Sequence, residues 1–167
     1  MFDVKKIIYL KKNLYLNDFN SNNIVFVPNI LSDSGVFTSS FESEEAKKHY
    51  LDWYKKGVWK QDNVWFCKNF VLGQTQFLKC NFNELDFFVA NMLCKKGLGG
   101  VRSLRYNSFS RCMDLLVSFC EKHSFDLSKV EVRINYGSFE KGVDWKLVES
   151  LIFDCWVERG LQVKIYL

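Results

Sequence analysis

The clearest pattern of hydrophobic and polar positions lies in the last third of the chain, where helical spacing and strand-like alternation follow one another twice. Residues 130–136 alternate between apolar and polar side chains, which predicts a strand with one buried and one wetter face. Residues 161–167 alternate in the same way, and Asp144 and Gly160 suit the two ends of a helix over residues 144–159. Ahead of these elements, a helix with one apolar face is predicted from residues at helical spacing: Phe109, Cys112, Met113, Leu116, Phe119 and Cys120.

The N-terminal part of the chain predicts a β-rich extension. Residues 4–17 have the pattern of a hairpin with its turn at residues 11–13. Residues 24–27 predict a short apolar strand that stops before Pro28. The next segment, residues 29–41, is rich in side chains that hydrogen-bond their own backbone in turns, so we expect a loop and a boundary there. The chain is therefore divided into an extension, residues 1–41, and an α/β domain, residues 42–167.

A helix is predicted to open the second part of the chain. Ser43 and the acidic residues after it form a helix N-terminus, and Gly57 is expected to end the helix. Its aromatic face, formed by Tyr50, Trp53 and Tyr54, is expected to be either core or a surface on which nucleotide bases stack. The neighbouring lysines are either solvated or in contact with phosphates.

Three apolar runs between residues 64 and 93 predict strands. The last two runs, residues 76–82 and 85–93, are expected to be antiparallel neighbours. The complete pattern predicts the α+β class: an N-terminal β-hairpin region followed by an α-β-β-α-β-α-β domain, with a mixed sheet covered by helices.

Composition limits the kinds of protein that this sequence can represent. A chain of 167 residues can bury a core, and no apolar run approaches the roughly 18 residues that a membrane-spanning helix needs. Residues 1–12 carry charges where a signal peptide needs an apolar segment. We therefore expect a soluble, intracellular protein with no membrane partner.

The cysteines do not have the spacing of a metal site. Six cysteines and two histidines include no C-x-x-C pair, whereas zinc sites take their ligands as short-spaced pairs. We expect no metal. Cys112, Cys120 and Cys155 fall on predicted apolar faces and are expected to be small buried side chains in a reducing compartment.

Basic residues are concentrated in one stretch of the chain. The net charge is only +4, but no acidic residue lies between Asp86 and Asp114. A glycine-rich turn within this stretch precedes a predicted helix, so backbone N–H groups and arginines can approach phosphate oxygens together. The alternative is an ordinary solvated surface. The predicted RNA- and phosphate-binding residues, with Tyr106 as a base-stacking ring, are Lys95, Lys96, Gly97, Gly99, Gly100, Arg102, Arg105, Tyr106 and Arg111.

Catalytic motifs are missing from the sequence. There is no G-x-S-x-G, no G-K-[ST] and no H-E-x-x-H. His49 lies on a helix flanked by lysines and His123 at the end of a helix, and both are expected to be structural. We expect no catalytic residue and no cofactor, and a protein without enzymatic activity is the favoured class.

Part of the sequence resembles the carboxyl-terminal half of small-subunit ribosomal protein three. The resemblance rests on residues 108–113, the predicted strand over residues 129–135, Gly137 with Glu140, and residues 154–160. Residues 97–100 also have the G-x-x-G form of the KH domain of that family, whose loop clamps RNA backbone. The resemblance implies an RNA-binding domain in the head of the small ribosomal subunit.

A second resemblance is to the GNAT acyltransferases. Residues 105–110, followed by an amphipathic helix and a strand, look like the loop that gives backbone N–H groups to the coenzyme A pyrophosphate in that family. Ser108 and Ser110 stand where the family has the glycines of this loop. No residue near this loop stands out as a general base.

These observations favour a structural RNA-binding protein, a divergent small-subunit ribosomal protein with the mitochondrial ribosome as its candidate location. Its expected partners are ribosomal RNA and neighbouring ribosomal proteins. One alternative is a GNAT-like acyl-coenzyme A-dependent N-acyltransferase. Another is a viral or phage protein-binding module without catalysis.

Overall fold

A six-stranded mixed sheet forms the centre of the structure. A computed structural model of the chain describes residues 6–14, 22–38, 43–59, 68–82, 84–97, 103–139 and 141–167. The strands are β1 (Ile7–Leu10), β2 (Ile24–Ser32), β3 (Val58–Trp59), β4 (Lys68–Asn69), β5 (Thr75–Phe82), β6 (Leu85–Lys95), β7 (Val130–Asn135) and β8 (Gln162–Tyr166). β3 and β4 form a separate antiparallel ribbon, and the other strands form the main sheet.

The strand order of the main sheet is β1-β8-β7-β2-β6-β5. Every neighbouring pair is parallel except β5 and β6, which are antiparallel. The five mutually parallel strands therefore end at the same edge of the sheet, which we call the carboxyl edge.

Helices cover both faces of the sheet. They are α1 (Glu44–Lys56), α2 (Tyr106–Lys122) and α3 (Trp145–Ile152), and α3 continues as a π-helical turn, Phe153–Val157. α2 and α3 pack on one face, over inward side chains such as Phe26, Met92 and Val132. α1 packs on the other face, over Val27, Leu93 and their neighbours. The α+β class and the mixed sheet covered by helices are thus confirmed. Within the described ranges no helix is long and apolar enough to cross a bilayer.

α1, α2 and α3 lie where the sequence predicts helices. The Ser43 hydroxyl accepts a hydrogen bond from the Ala46 N–H at 3.2 Å, and Gly57 ends α1 with a φ of 70°. The Asp144 carboxylate accepts one from the Leu147 N–H at 3.3 Å and caps α3. The six apolar residues predicted to share one face of α2 are all buried. The cysteines at 112, 120 and 155 are buried too, as predicted.

The predicted N-terminal hairpin is wrong. β1 pairs in parallel with β8, from Ile7 opposite Val163 to Leu10 opposite Tyr166. Part of the predicted return strand, residues 15–17, lies outside the described residues. Alternation within a segment predicts a strand but does not identify its partner, which in this case comes from the other end of the chain.

The predicted loop over residues 29–41 is wrong at its beginning, because β2 continues through Pro28 to Ser32. A proline lacks the N–H that a central strand normally donates to its neighbour. Pro28 pairs with Ala90 of β6, but the ladder between β2 and β7 has already ended at Phe26. The division of the chain at residue 41 stays a prediction, and the main sheet contains strands from both sides of that position.

The polar face predicted for β7 is buried. Glu131 and Arg133 are each 1% exposed. The Arg133 Nε donates to Glu131 Oε2, and the Lys164 Nζ of β8 donates to Glu131 Oε1, both at 2.6 Å. Buried charges require such partners because desolvation disfavours an isolated ion. Periodicity predicted a wetter face at these positions, whereas the structure neutralises the charges by pairing them.

A row of buried amides connects three strands to α1. Asn29, Asn91 and Gln76 lie side by side on β2, β6 and β5. The Asn29 Nδ2 donates to Asn91 Oδ1 at 3.0 Å, and the Asn91 Nδ2 donates to Gln76 Oε1 at 2.8 Å. The same Asn91 nitrogen donates to the Ala46 carbonyl at 3.2 Å, and Gln76 Nε2 donates to the His49 carbonyl at 3.0 Å. This amide row fixes the position of α1 on the sheet.

Replacing the central amide should destabilise the protein. We expect Asn91→Ala to lower the free energy of unfolding by about 2 kcal/mol or more, because it leaves buried partners without their hydrogen bonds. The matched control is Asn81→Ala, on an exposed part of β5, where the Asn81 Nδ2 donates to the exposed Asp86 carboxylate at 3.0 Å. Denaturant unfolding of both variants measures the difference, and equal small effects would contradict the role given to the amide row.

Candidate functional site

The two central strands of the sheet separate toward the carboxyl edge. β2 and β7 pair only from Ile24 opposite Val130 to Phe26 opposite Val132. Their outer ladders continue much further, β2 with β6 and β7 with β8. The chain connections also diverge here, since β2 leads toward β5 and β6 whereas β7 leads to β8 on the other side. In open α/β sheets, ligands bind in the crevice that forms at such a switch point. We call this opening the crevice.

One side of the crevice is the turn that follows β2. The buried Tyr50 hydroxyl of α1 donates to the Ser32 carbonyl at 2.6 Å and so fixes the end of the strand. The Ser34 N–H donates to the Ser32 hydroxyl oxygen at 3.2 Å. Gly35 has a φ of 82°, and a Cβ at this position would lie 2.5 Å from a ring carbon of Tyr54. The turn therefore requires glycine both for its backbone conformation and for its contact with α1.

Hydrogen bonds connect the loops around the crevice to one another. The Asp33 N–H donates to the Lys95 carbonyl at 3.1 Å, and the Gly97 N–H donates to Asp33 Oδ1 at 2.9 Å. The Lys95 Nζ donates to the Ser138 carbonyl at 2.7 Å and so connects the end of β6 to the loop after β7. In that loop the Gly137 N–H donates to Asn135 Oδ1 at 2.9 Å. Three loops from separate parts of the chain are thus held together around one opening.

Aromatic rings lie beside the carboxyl end of β7. Tyr136 directly follows β7 and is 41% exposed, and its ring centroid lies 4.8 Å from that of Trp145. The Trp145 Nε1 donates to the Tyr9 hydroxyl at 3.1 Å, and that hydroxyl donates to the Glu149 carboxylate. Partial burial and the bond to Glu149 raise the pKa of Tyr9 to about 12, so this hydroxyl stays protonated at neutral pH. The rings are held in place by contacts outside the crevice.

A second opening lies at the start of α2, beside the end of β6. It has a volume of about 520 Å³, and we call it the arginine hollow. It is lined by Leu72, Arg105, Tyr106, Asn107, Ser108 and Arg111.

The structure divides the sequence-predicted site between these two openings. At the end of β6 and the start of the following loop, Lys95 and Gly97 contact the loops around the crevice, and Lys96 lies between them in the chain. Arg105, Tyr106 and Arg111 line the arginine hollow. Gly99, Gly100 and Arg102 lie outside the described residues. Their role in phosphate binding stays a prediction.

The described residues offer no metal site, because none of them form a group of three or more His, Cys, Asp or Glu side chains. Tyr50 and Trp53 are core residues rather than a stacking surface, since their exposed fractions are 0% and 1%.

Comparison with known proteins gives matches at the level of structure only. No family model and no curated protein sequence matches the chain. A Bacteroides thetaiotaomicron protein of unknown function superposes with a TM-score of 0.74 at 21% identity, covering 98% of this chain and 99% of that one. A macrodomain protein from Streptomyces coelicolor superposes with a TM-score of 0.72 at 18% identity, covering 96% and 98%. The macrodomain of Thermus aquaticus DarG gives 0.64 at 13% identity, covering 96% and 97%.

The chain has a macrodomain-like fold. The resemblances to ribosomal protein three and to GNAT acyltransferases are therefore wrong, as are the ribosomal, mitochondrial and rRNA assignments that followed from them. The viral or phage protein-binding alternative has no support either. Both resemblances rested on short stretches of similar residue types. Such stretches do not identify a family, because helix–strand–helix–strand patterns recur in many unrelated folds.

The local structure also argues against a pyrophosphate-binding loop at residues 105–110. The Ser110 hydroxyl lies 3.6 Å from the Cys155 sulfur, between α2 and the π-helical turn, so it faces the protein rather than an incoming pyrophosphate. Ser108 lies at the arginine hollow.

Several residues of the crevice were missed by sequence reasoning. Asp33, Gly35 and Ser138 were not predicted as site residues. The available signal was the polar turn immediately after the buried strand β2, which was interpreted as a boundary loop. Recognising it requires knowing that β2 is a central parallel strand, which local periodicity does not show.

Removing the Tyr50 hydroxyl tests how much its hydrogen bond to the end of β2 contributes to stability. Burial raises the pKa of Tyr50 to about 12, above the value near 10 expected in the unfolded chain. The contribution of this group to stability is thus complete below about pH 10 and is lost as the pH rises through about 12. We expect Tyr50→Phe to cost about 1 kcal/mol at neutral pH through the lost hydrogen bond, and to lose less stability than the parent between pH 10 and 12.

The matched control for this experiment is Tyr54→Phe, since Tyr54 is 45% exposed. At neutral pH it should be as stable as the parent, because its hydroxyl lies on an exposed side chain. Urea unfolding at a series of pH values makes the measurement, and parallel stability curves for the parent and Tyr50→Phe would contradict the prediction.

Proposed function

We propose that this protein binds ADP-ribose, or an ADP-ribosyl group carried by another molecule, in the crevice between β2 and β7. The macrodomain-like fold supports a ligand of this type. The observation that carries the proposal is the early end of the β2–β7 ladder at Phe26 and Val132. It leaves an opening at the switch point of the sheet, where α/β proteins bind nucleotides.

The chemistry around the crevice suits a nucleoside diphosphate. Lys95 and Lys96 lie on its β6 side and can offset the charge of a diphosphate. Gly97, which has a φ of 75° and nothing within 4 Å of a Cβ position, leaves room for a ligand beside the backbone. The partly exposed Tyr136 ring offers an apolar surface for a base or a sugar.

The location of the ligand can be tested by nuclear magnetic resonance. We expect addition of ADP-ribose to ¹⁵N-labelled protein to shift the amide signals of Asp33, Gly97 and Gly137, because these groups surround the crevice. The amide of Glu84, in the turn between β5 and β6 at the opposite edge, should not move. Shifts confined to the arginine hollow, or no shifts at all, would overturn the proposal.

A charge substitution tests the same site by affinity. We expect Lys95→Gln to weaken ADP-ribose binding about tenfold, because a charge-assisted contact to the diphosphate is lost. Lys79→Gln is the matched control, since Lys79 is an exposed residue of β5 that pairs with Asp86. Calorimetric titration measures both variants against the parent. Equal affinities for all three would exclude Lys95 from the site.

A further inference from the structure

The arginine hollow is anchored to the end of β6 on two sides. The Gly73 N–H donates to the Leu93 carbonyl at 2.7 Å, and the Arg105 N–H donates to the Cys94 carbonyl at 2.7 Å. Leu72 precedes Gly73 in the chain, and both Leu72 and Arg105 line the hollow. The walls of the hollow are therefore tied to the central sheet, although the hollow lies at the surface.

Arg111 is placed over the hollow by a glycine. Gly73 has a φ of 93°, and a Cβ there would lie 3.1 Å from the Arg111 Cδ, so the arginine side chain lies directly against the bare backbone. The nearest acid along α2, Asp114, is paired with Arg159 at 3.2 Å. Within the part of the chain that the structure describes, no ion pair or hydrogen bond of Arg111 is formed. Its positive charge is thus not neutralised by the protein.

The rest of the lining suits an anion with an apolar substituent. Asn107 and Ser108 provide polar side chains, and Leu72 provides an apolar wall. The first turn of α2 contains no acidic residue and no capping side chain that would compete for the space. Among the described residues that line the hollow there is no carboxylate and no histidine. A volume of about 520 Å³ exceeds what a bare phosphate ion needs.

We propose that the arginine hollow is a second binding site, separate from the crevice, which takes the dianionic phosphate of a phosphate monoester between Arg105 and Arg111. The two guanidinium groups hold the phosphate oxygens, since this group matches phosphate in charge and in geometry. The organic part of the ester lies against Leu72. The site does not depend on the proposed ADP-ribose function, because neither arginine lies at the crevice.

The test uses phenyl phosphate as the probe and calorimetry on the full chain at fixed ionic strength. Guanidinium groups stay charged over the whole range, whereas a phosphate monoester gains its second charge near pH 6. We expect binding to be roughly tenfold tighter at pH 7.5 than at pH 5, because only about a tenth of the probe is dianionic at pH 5. Phenyl sulfate, which has one charge at both pH values, should bind weakly and without this change.

The variant is the double substitution Arg105→Gln and Arg111→Gln. We expect it to lower the affinity for phenyl phosphate by about tenfold or more, because two charge-assisted contacts are lost. Both arginines are exposed, so the melting temperature should stay that of the parent. The matched control is Lys47→Gln with Lys48→Gln, which removes the same charge from the exposed face of α1. The ADP-ribose affinity of both double variants should equal that of the parent.

Three results would overturn the proposed phosphate site, and a fourth would overturn its assignment to an ester. The first is equal affinity of the arginine variant and the parent for phenyl phosphate. The second is an equal loss in the lysine control, which would mean attraction by net charge alone. The third is binding of phenyl sulfate as tightly as phenyl phosphate. A parallel titration with inorganic phosphate distinguishes the two sources of the dianion, and affinity equal to that of phenyl phosphate would overturn the assignment to an ester.

Discussion

The pairing of β2 on both of its sides is the constraint on which the rest of the structure depends. Toward β6 the ladder runs to Ser32, but toward β7 it ends at Phe26. A central parallel strand normally keeps both partners along its length, because unpaired backbone groups in the interior are costly. Pro28, which has no N–H to donate, lies beyond the last residue that pairs with β7. The opening that follows, and the loops that surround it, exist because this one ladder is short.

The helices hold this divided sheet together through different kinds of contact. On the α2 and α3 face the contacts are apolar, and clusters such as Phe77 against Phe119, with ring centroids 4.4 Å apart, fill the space. On the α1 face, buried amides and ion pairs also make directional contacts, such as the hydrogen bonds of Asn91 with its neighbours. A hydrogen-bonded amide must meet its partner at one register, whereas apolar packing tolerates small shifts. The polar contacts therefore determine where α1, and with it the turn after β2, lies relative to the crevice.

The basic side chains at the carboxyl edge lie on both sides of the end of β6. Lys95 turns toward the loop after β7, where its ammonium group contacts the Ser138 carbonyl. Arg105 and Arg111 lie on the α2 side, around a separate hollow. Residues that are close in sequence thus point toward two different openings, because a strand end followed by a helix start reverses the direction of the chain. A cluster of charges in a sequence is consequently not evidence for a single site.

Local patterns in the sequence determined the helices and the type of most strands. The stop of α1 at Gly57 and the cap of α3 at Asp144 could be predicted because each depends on neighbours within one helical turn. Only the tertiary structure decided that β1 pairs with β8, that Glu131 and Arg133 are buried as a pair, and that the crevice lies between β2 and β7. These features depend on contacts between segments that are far apart in the chain, and the alternation of residues along a strand contains no information about which segment will lie beside it. The family of the fold was inaccessible for the same reason, since the order of strands in a sheet is a property of the assembled chain.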